Sequence, residues 1–158
     1  VDIAPDLLEL ILAHAGEEAP NECCGVVAVA AAQAGTDRQS IPHSGHAAGS
    51  PIGQRARAMA VRRARNVHAS PKRFEIDGRD VLAAMREFEA EGWEIGAIYH
   101  SHTHTEPYPS QTDVNFAVNW PGVEWIIVGL AEPAGAEVRS YLIEEGTIRE
   151  VALEQIPA

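Results

Sequence analysis

Ile95 to Asp113 reads IGAIYHSHTHTEPYPSQTD, and the way this stretch divides decides the fold. Its first six residues, IGAIYH, form a short apolar run of the kind that makes a buried strand. His104 to Pro109 contains two prolines and reads as a loop. Ser110 then suits a helix N-cap, and Asp113 three residues later completes an S-x-x-D pattern close to a capping box. That helix is predicted to run to about Asn119, where Pro121 and Gly122 break it. Val123 to Leu130 follows as another buried strand. Strand, loop, helix and strand in succession point to an α/β architecture.

Working outward, Pro5 to about Glu18 reads as a helix, with Leu7, Leu8, Ile11 and Ala15 at helical spacing. Pro5 suits the first turn, and Asp2 or Asp6 suits its positive end. Glu22 to Ala31 has the β-branched content of a buried strand. Gly35 to Gly53 reads as a loop, with a short strand around Ile41. Ile52 to Asn66 has helical composition and a weak apolar stripe, which predicts a helix or a mobile arm. Phe74 to Ile76 is a short strand candidate. Asp77 or Gly78 begins a helix through about Glu91, with Val81, Leu82, Met85 and Phe88 on one face and Gly92 at its end. Val138 to Ile143 and Thr147 to Leu153 are strands joined through Gly146. The expectation is one domain over residues 1–158: a mixed α/β sheet flanked by helices, with a variable basic segment at about 33–67.

The chain has 158 residues, 46% hydrophobic and 22% charged, so one core can be built without staples. Its longest apolar run, Val26 to Ala32, is too short for a bilayer, which needs about 20 residues. Asp2, Asp6 and Glu9 stand where a signal peptide would carry positive charge, so no export signal is expected, although a leading Val1 leaves room for an upstream segment. A net charge of -11 argues against nucleic acid as a partner. Seven of the twelve basic residues nevertheless fall between Arg55 and Arg73, with no acid among them. Such a stretch is either a solvated face or a docking surface for something acidic. Cys23 and Cys24 are neighbours and cannot staple a fold, which fits a reducing cytoplasm.

His100, His102 and His104 account for three of the seven histidines. Alternate residues of an extended chain face one side, so a strand ending in His-x-His presents two imidazoles together. Asp113 returns as a carboxylate at the following helix. Two His, one carboxylate and a water make an open catalytic zinc shell. On residue types alone a second reading stays open, in which the histidines are polar loop residues and Ser110 and Asp113 only cap a helix. The two readings are compatible, because a capped helix start also fixes where Asp113 points.

His100-Ser101-His102, seven residues, Ser110, two residues and Asp113 is similar to the H-S/T-H-x7-S-x2-D signature of the JAMM (MPN+) metalloproteases. Glu22-Cys23-Cys24-Gly25 resembles the E-x-C-G that carries the family's catalytic glutamate. The resemblance covers most of the chain and is weakest over Gln33 to Val67. It is closest to the small bacterial branch, which includes proteases acting on ubiquitin-like sulfur carriers in cysteine biosynthesis.

The resemblance implies an MPN (JAB1/MPN, cytidine-deaminase-like) fold. It implies one Zn2+ per chain held by His100, His102 and Asp113, Glu22 as general base, and Ser110 as a hydrogen-bond donor to the oxyanion. It also implies a ubiquitin-like sulfur-carrier protein with a C-terminal Gly-Gly as partner, cysteine synthase machinery nearby, and a cytoplasmic setting without nucleic acid or membrane. On that view Arg62, Arg63 and Arg65 would help dock an acidic carrier, and the Gly-Gly tail would add as a strand at a sheet edge.

Four other readings compete. A cupin-type oxygenase would use His100-x-His102-x3-Glu106 but needs a later histidine, and His104 is the last one. Zinc nucleobase deaminases need P-C-x-x-C, which is absent. A metal-free MPN scaffold typically lacks a ligand, whereas all five residues of the pattern are present here. Cys24 invites a cysteine-protease reading, but it sits beside Gly25 and Val26 on an apolar strand and reads as packed and inert. Trp93, Trp120 and Trp125 read as core residues.

Overall fold

Pro5 sits in the first turn of helix α1 (Pro5–Glu18) with Asp6 beside it, and one side of the helix buries Leu8, Ile11, His14 and Ala15. The computed structural model of the chain describes residues 1–31, 55–131 and 135–157. Before α1 lies β1 (Asp2–Ile3). After it come β2 (Cys24–Ala30), β3 (Ala58–Ala64), α2 (Gly78–Ala90) and β4 (Trp93–His102). The chain continues through α3 (Gln111–Ala117), β5 (Glu124–Gly129), β6 (Glu137–Glu144), β7 (Thr147–Val151) and β8 (Glu154–Gln155).

Six strands form one mixed sheet in the order β3-β2-β4-β5-β6-β7. Every neighbouring pair is antiparallel except β4 and β5, which run parallel. A parallel pair needs a crossover, and the loop with α3 supplies it. β1 and β8 make a separate parallel pair.

Alternation along the strands splits the core in two. On one face Val27, Val29, Ala97, Tyr99, Ile126 and Val128 pack with Leu8, Ile11 and Ala15 of α1. On the other, Val26, Ala28, Ile98, Trp125, Ile127 and Tyr141 pack with Ala84 and Phe88 of α2 and Ala117 of α3. The expected mixed α/β sheet with flanking helices is the observed architecture. Trp125 is buried in the core, and Trp93 and Trp120 pack against its margin.

Several expectations change. The helix or arm predicted over Ile52–Asn66 is, in its described part, the edge strand β3, paired with β2 from Cys24↔Ala64 to Val29↔Ala58. Ala58, Ala60, Val61 and Ala64 turn inward, while Arg62 and Arg63 turn out. Arginine and alanine favour helices in isolation, but an unpaired β2 edge offers a full ladder of backbone hydrogen bonds. Phe74–Ile76 contributes only one bridge, Ile76 to Asn66. In α2 the buried stripe is Val81, Ala84 and Phe88, whereas Leu82 and Met85 are exposed. Gly92 ends that helix as expected, with φ 75°. The predicted loop over Gly35–Gly53, the strand near Ile41 and the first residues of the predicted 52–66 helix lie outside the described residues.

Candidate metal centre

β4 extends through His102, so His100 and His102 lie in one regular strand and share a face. Cys24 of β2 stands opposite His100. The ladder continues past it, with Ser101 N donating to the Cys23 carbonyl (3.1 Å) and Cys23 N donating to Ser101 Oγ (2.9 Å). Glu22, the residue before Cys23, lines one cavity with His102. Asp113 arrives from the first turn of α3, in the crossover between β4 and β5. The site therefore lies at the carboxyl end of a parallel strand pair, where α/β sheets open a crevice.

The local chemistry of α3 fixes the carboxylate. Asp113 N donates to Ser110 Oγ (3.2 Å), and Asp113 Oδ2 accepts from Ser110 N (2.7 Å) and Ser110 Oγ (3.0 Å). This is the capping box expected from S-x-x-D. Held so, Asp113 turns its other oxygen, Oδ1, to 3.2 Å from His100 Nε2.

His100 Nε2 and His102 Nε2 are 3.1 Å apart, and Asp113 Oδ2 lies 3.7 Å from His102 Nε2. Ligands about 2.0–2.1 Å from a tetrahedral ion are separated by about 3.3 Å, so these spacings fit one small divalent cation. His100, His102 and Asp113 are all buried, and their ligand atoms lie within 4.8 Å of one another. His102 Nδ1 meets the Glu106 carbonyl at 2.9 Å, which turns Nε2 toward the centre. His100 Nδ1 is buried with no hydrogen-bond partner. Packing orients that ring instead: Phe74 stacks on it at 4.2 Å and Trp125 meets it edge-on at 6.3 Å.

Glu22 is buried beside the three. It shares a cavity of about 190 Å3 with Lys72, Arg73, Phe74, His102, Thr105, Ser110, Thr112 and Asp113. Burial pushes the Glu22 carboxyl up to about 7, with His102 opposing and Asp113 adding to the shift. Burial also acts to raise Asp113, but the imidazoles of His100 and His102 and the Ser110 N–H prevail and hold it well below the usual carboxylate range. At His102 burial opposes protonation, yet Asp113 and the Glu106 carbonyl raise its pKa.

The structure thus brings Glu22, His100, His102, Ser110 and Asp113 into one cavity region. His104 is exposed and outside the metal-capable group. Burial pushes the Cys23 thiol up to about 11 and Cys24 higher still, so neither is a ready thiolate. Phe74, Lys72 and Arg73 line the site without having been expected there. Phe74 leaves no pattern to read, and the two cations are merged in sequence with the larger basic stretch. That stretch is not a face of free cations: Arg62 pairs with Glu87, Arg63 with Glu17 and Arg65 with Asp77. Among the described residues no helix is long and apolar enough to cross a membrane.

Residues 4–144 match the family described as prokaryotic homologs of the JAB domain, a span that contains every residue of the site. A CysO-cysteine peptidase of Mycobacterium tuberculosis is 33% identical over 150 residues, covering 94% of this chain and 86% of that one. A desampylase of Pyrococcus furiosus is 35% identical over 94 residues, covering 60% of this chain and 64% of its own. Among solved structures, a protein from Desulfitobacterium hafniense superposes with a TM-score of 0.76 at 26% identity, covering 99% of this chain and 93% of that one. A JAB1/MPN domain protein from Archaeoglobus fulgidus shares the fold at a TM-score of 0.57 and 18% identity, with 99% of each chain covered. A strand-end His-x-His, a capped aspartate and a buried glutamate on this sheet agree with those likenesses, and the chain belongs to the prokaryotic JAB-domain family.

Proposed function

We propose that the chain is a zinc metallopeptidase that hydrolyses the peptide or isopeptide bond after the C-terminal Gly-Gly of a ubiquitin-like sulfur-carrier protein. The observation that carries this reading is the convergence of His100 Nε2, His102 Nε2 and the Asp113 carboxylate, with Glu22 in the same cavity. The substrate class is supported by the relatives, which are named as a CysO-cysteine peptidase, desampylases and a probable TtuB-protein conjugate cleaving protease. A cytoplasmic setting belongs to the same proposal, supported by the two unpaired thiols.

His100, His102 and Asp113 would hold the ion. Two neutral imidazoles and one carboxylate leave a bound divalent cation with net positive charge, and zinc in such a shell supplies Lewis acidity and a water nucleophile at neutral pH. Glu22 takes the proton from the attacking water at a carboxylate oxygen and later returns it to the leaving amine. Burial, which disfavours the charged form of the Glu22 carboxyl, favours its holding the proton between these two steps. Ser110 Oγ–H donates to the oxyanion of the tetrahedral intermediate, for which it must leave Asp113 Oδ2. Phe74 and Trp125 keep water from the back of His100.

The test combines metal analysis with intact-mass measurement. Zinc-loaded protein is incubated with carriers extended beyond Gly-Gly, and loss of mass after the second glycine is the expected result. Glu22→Gln should keep zinc and lose cleavage. Absence of both zinc and turnover in the wild type would leave only a partner-binding scaffold.

A further inference from the structure

Seven cations lie between Arg55 and Arg73, and five of them are engaged within the chain. Arg55 pairs with Asp2, Arg62 with Glu87, Arg63 with Glu17 and Arg65 with Asp77, while Arg57 donates to the Pro157 carbonyl at 3.4 Å. Lys72 and Arg73 differ. Among the described residues neither side chain has an acidic partner, both are exposed, and both line the cavity that contains Glu22, His102, Ser110 and Asp113. In a chain of net charge -11, two unneutralised cations at that one place call for an anionic ligand.

Their backbone is fastened to the site. Glu22 N donates to the Ser70 carbonyl (2.9 Å), and Lys72 N donates to Ser70 Oγ (3.2 Å). Thr103 Oγ1 donates to the Pro71 carbonyl (3.0 Å). Asn66 Nδ2 donates both to the Arg73 carbonyl (3.1 Å) and to the Glu22 carbonyl (3.0 Å). The next residue, Phe74, stacks on His100. The segment carrying the two cations is therefore tied to Glu22 itself and to the strand bearing His100 and His102. Such anchoring fixes the backbone from which the two exposed side chains extend.

The remaining charged groups of the cavity are the carboxylates of Glu22 and Asp113. The ion that Asp113 would hold offsets that carboxylate, so Glu22 is the one an anionic leaving group would meet, and cations beside it offset the repulsion. A Gly-Gly tail is neutral and presents only amides. A lysine joined through its side chain brings no carboxylate near the bond, since its own carboxyl lies several bonds away and is amidated within a protein. A single amino acid joined through its α-amine does bring a carboxylate, one carbon from the scissile nitrogen. The cavity of about 190 Å3 equals the liquid volume of about six waters at about 30 Å3 each, room on the scale of one small residue.

We propose that Lys72 and Arg73 form the subsite for the free α-carboxylate of the leaving group, so that the enzyme releases a single C-terminal amino acid from its carrier in preference to an isopeptide-linked protein. This rests on the peptidase reading above and adds which side of the bond is recognised. Arg73 can accept the carboxylate through paired N–H groups, and Lys72 adds a point charge.

The experiment uses one carrier in three forms: extended by a single alanine, extended by alanine amide, and joined by an isopeptide bond to a lysine-containing peptide. Zinc-loaded wild type should cleave the acid with kcat/KM at least about tenfold above the amide and the isopeptide, as expected for a charge-assisted contact. In the Lys72→Gln/Arg73→Gln variant the acid-to-amide ratio should fall to within about threefold of one. Zinc-loaded Glu22→Gln supplies a readout without turnover, in which binding of acid over amide should show the same preference. Should wild type cleave none of the three, the peptidase reading fails, while the binding ratio still decides the subsite. Equal handling of acid and amide by wild type overturns the proposal, as does a ratio that survives in the double variant. Equal losses on acid and amide in that variant also overturn it, and would assign the cations to the carrier's surface.

Discussion

The ring of Tyr99 occupies the space that a side chain at residue 25 would need: a Cβ on Gly25 would lie 2.4 Å from Tyr99 Cε1, Cζ and Oη. Tyr99 is buried, and its hydroxyl is tied to His14 Nδ1 at 2.8 Å. The ring cannot withdraw without breaking that bond and disturbing α1. Gly25 pairs directly with Tyr99 in the β2–β4 ladder, one position from the Cys24–His100 pair at the site. Gly25→Ala should therefore destabilise the protein by about 1–3 kcal/mol, the usual range for overpacking a core. For a chain of this size that is roughly 2–4 °C of Tm per kcal/mol. Shortening the ring should relieve the clash, so Gly25→Ala/Tyr99→Leu should lose clearly less than the sum of the two single variants. Additive losses in thermal melts would mean that the two residues do not collide.

Chelated protein should become less stable as pH rises through neutrality. Burial lifts Glu22 from 4.5 to about 7. His102 is also raised, by Asp113 and the Glu106 carbonyl against the effect of its burial. A group whose folded pKa exceeds its unfolded value contributes fully below the unfolded value and loses that contribution as pH climbs through the folded one. For Glu22 the window runs from 4.5 to about 7, and the swing is at most about 3.5 kcal/mol at ~1.4 kcal/mol per unit. Asp113 has the opposite sign: its carboxyl is depressed, so its contribution is present above 3.8 and is lost only as pH falls below that. The contribution of Glu22 and His102 in chelated protein should be greatest at about pH 4–5 and smaller near pH 8, while buried His14, lowered from 6.5 chiefly by burial, acts in the opposite sense as pH falls. A bound divalent ion requires neutral imidazoles and an ionised carboxylate, so zinc should reverse the trend. Urea titrations across this range check it. Chelated Glu22→Gln should lack most of the alkaline decline and exceed the wild type near pH 8. A wild-type profile that rises steadily with pH in the absence of metal counts against the burial assigned to Glu22.

Phe74 offers a separate test of how the site is supported. It is buried against the His100 ring, and that ring has no hydrogen bond from Nδ1 to hold it. Phe74→Ala should cost about 3–5 kcal/mol as a large-to-small core change. Phe74→Leu should recover most of the stability but not the flat surface. The expected signature is a Leu variant that melts near the wild type yet binds zinc more weakly, by roughly tenfold, as when an orienting neighbour of a ligand is lost. Wild-type zinc affinity in that variant would show that strand geometry alone aims His100.

What could be read from the chain and what could not follow from the range of the interactions. His100, His102, Ser110 and Asp113 lie within fourteen residues, and their geometry comes from strand alternation and a capping box, both local. The core strands β2, β4 and β5 announce themselves as apolar runs for the same reason. β3 does not: AMAVRRA is helix-prone locally and becomes a strand only because the edge of β2 must be paired. Its arginines read as a basic face, yet Glu17 of α1 and Glu87 of α2 neutralise them across the fold. Glu22 looks like a solvated acid after Pro20. Its burial depends on Ser70 and Asn66, more than forty residues away, and so shows only in three dimensions. Leu82 and Met85 were expected inside because α2 was phased by its large apolar residues, whereas the sheet takes the side carrying Ala84.

Ser110 serves two structural partners and one proposed chemical one, and the roles separate by measurement. Its Oγ accepts from Asp113 N (3.2 Å) and donates to Asp113 Oδ2 (3.0 Å). Removing the hydroxyl takes away an N-cap, a change of about 1 kcal/mol in stability. Ser110 N still donates to Asp113 Oδ2 at 2.7 Å through the backbone, so the carboxylate keeps an anchor. Ser110→Ala should therefore hold zinc at close to full stoichiometry and melt only a few degrees lower. If the hydroxyl also stabilises the oxyanion, kcat should fall by about 100- to 1,000-fold with little change in KM. Ser110→Thr restores both the cap and the donor and should recover most of the rate. A fall in kcat that merely tracks lost zinc across the two variants would reduce Ser110 to a residue that aims Asp113, and the oxyanion would then need another donor.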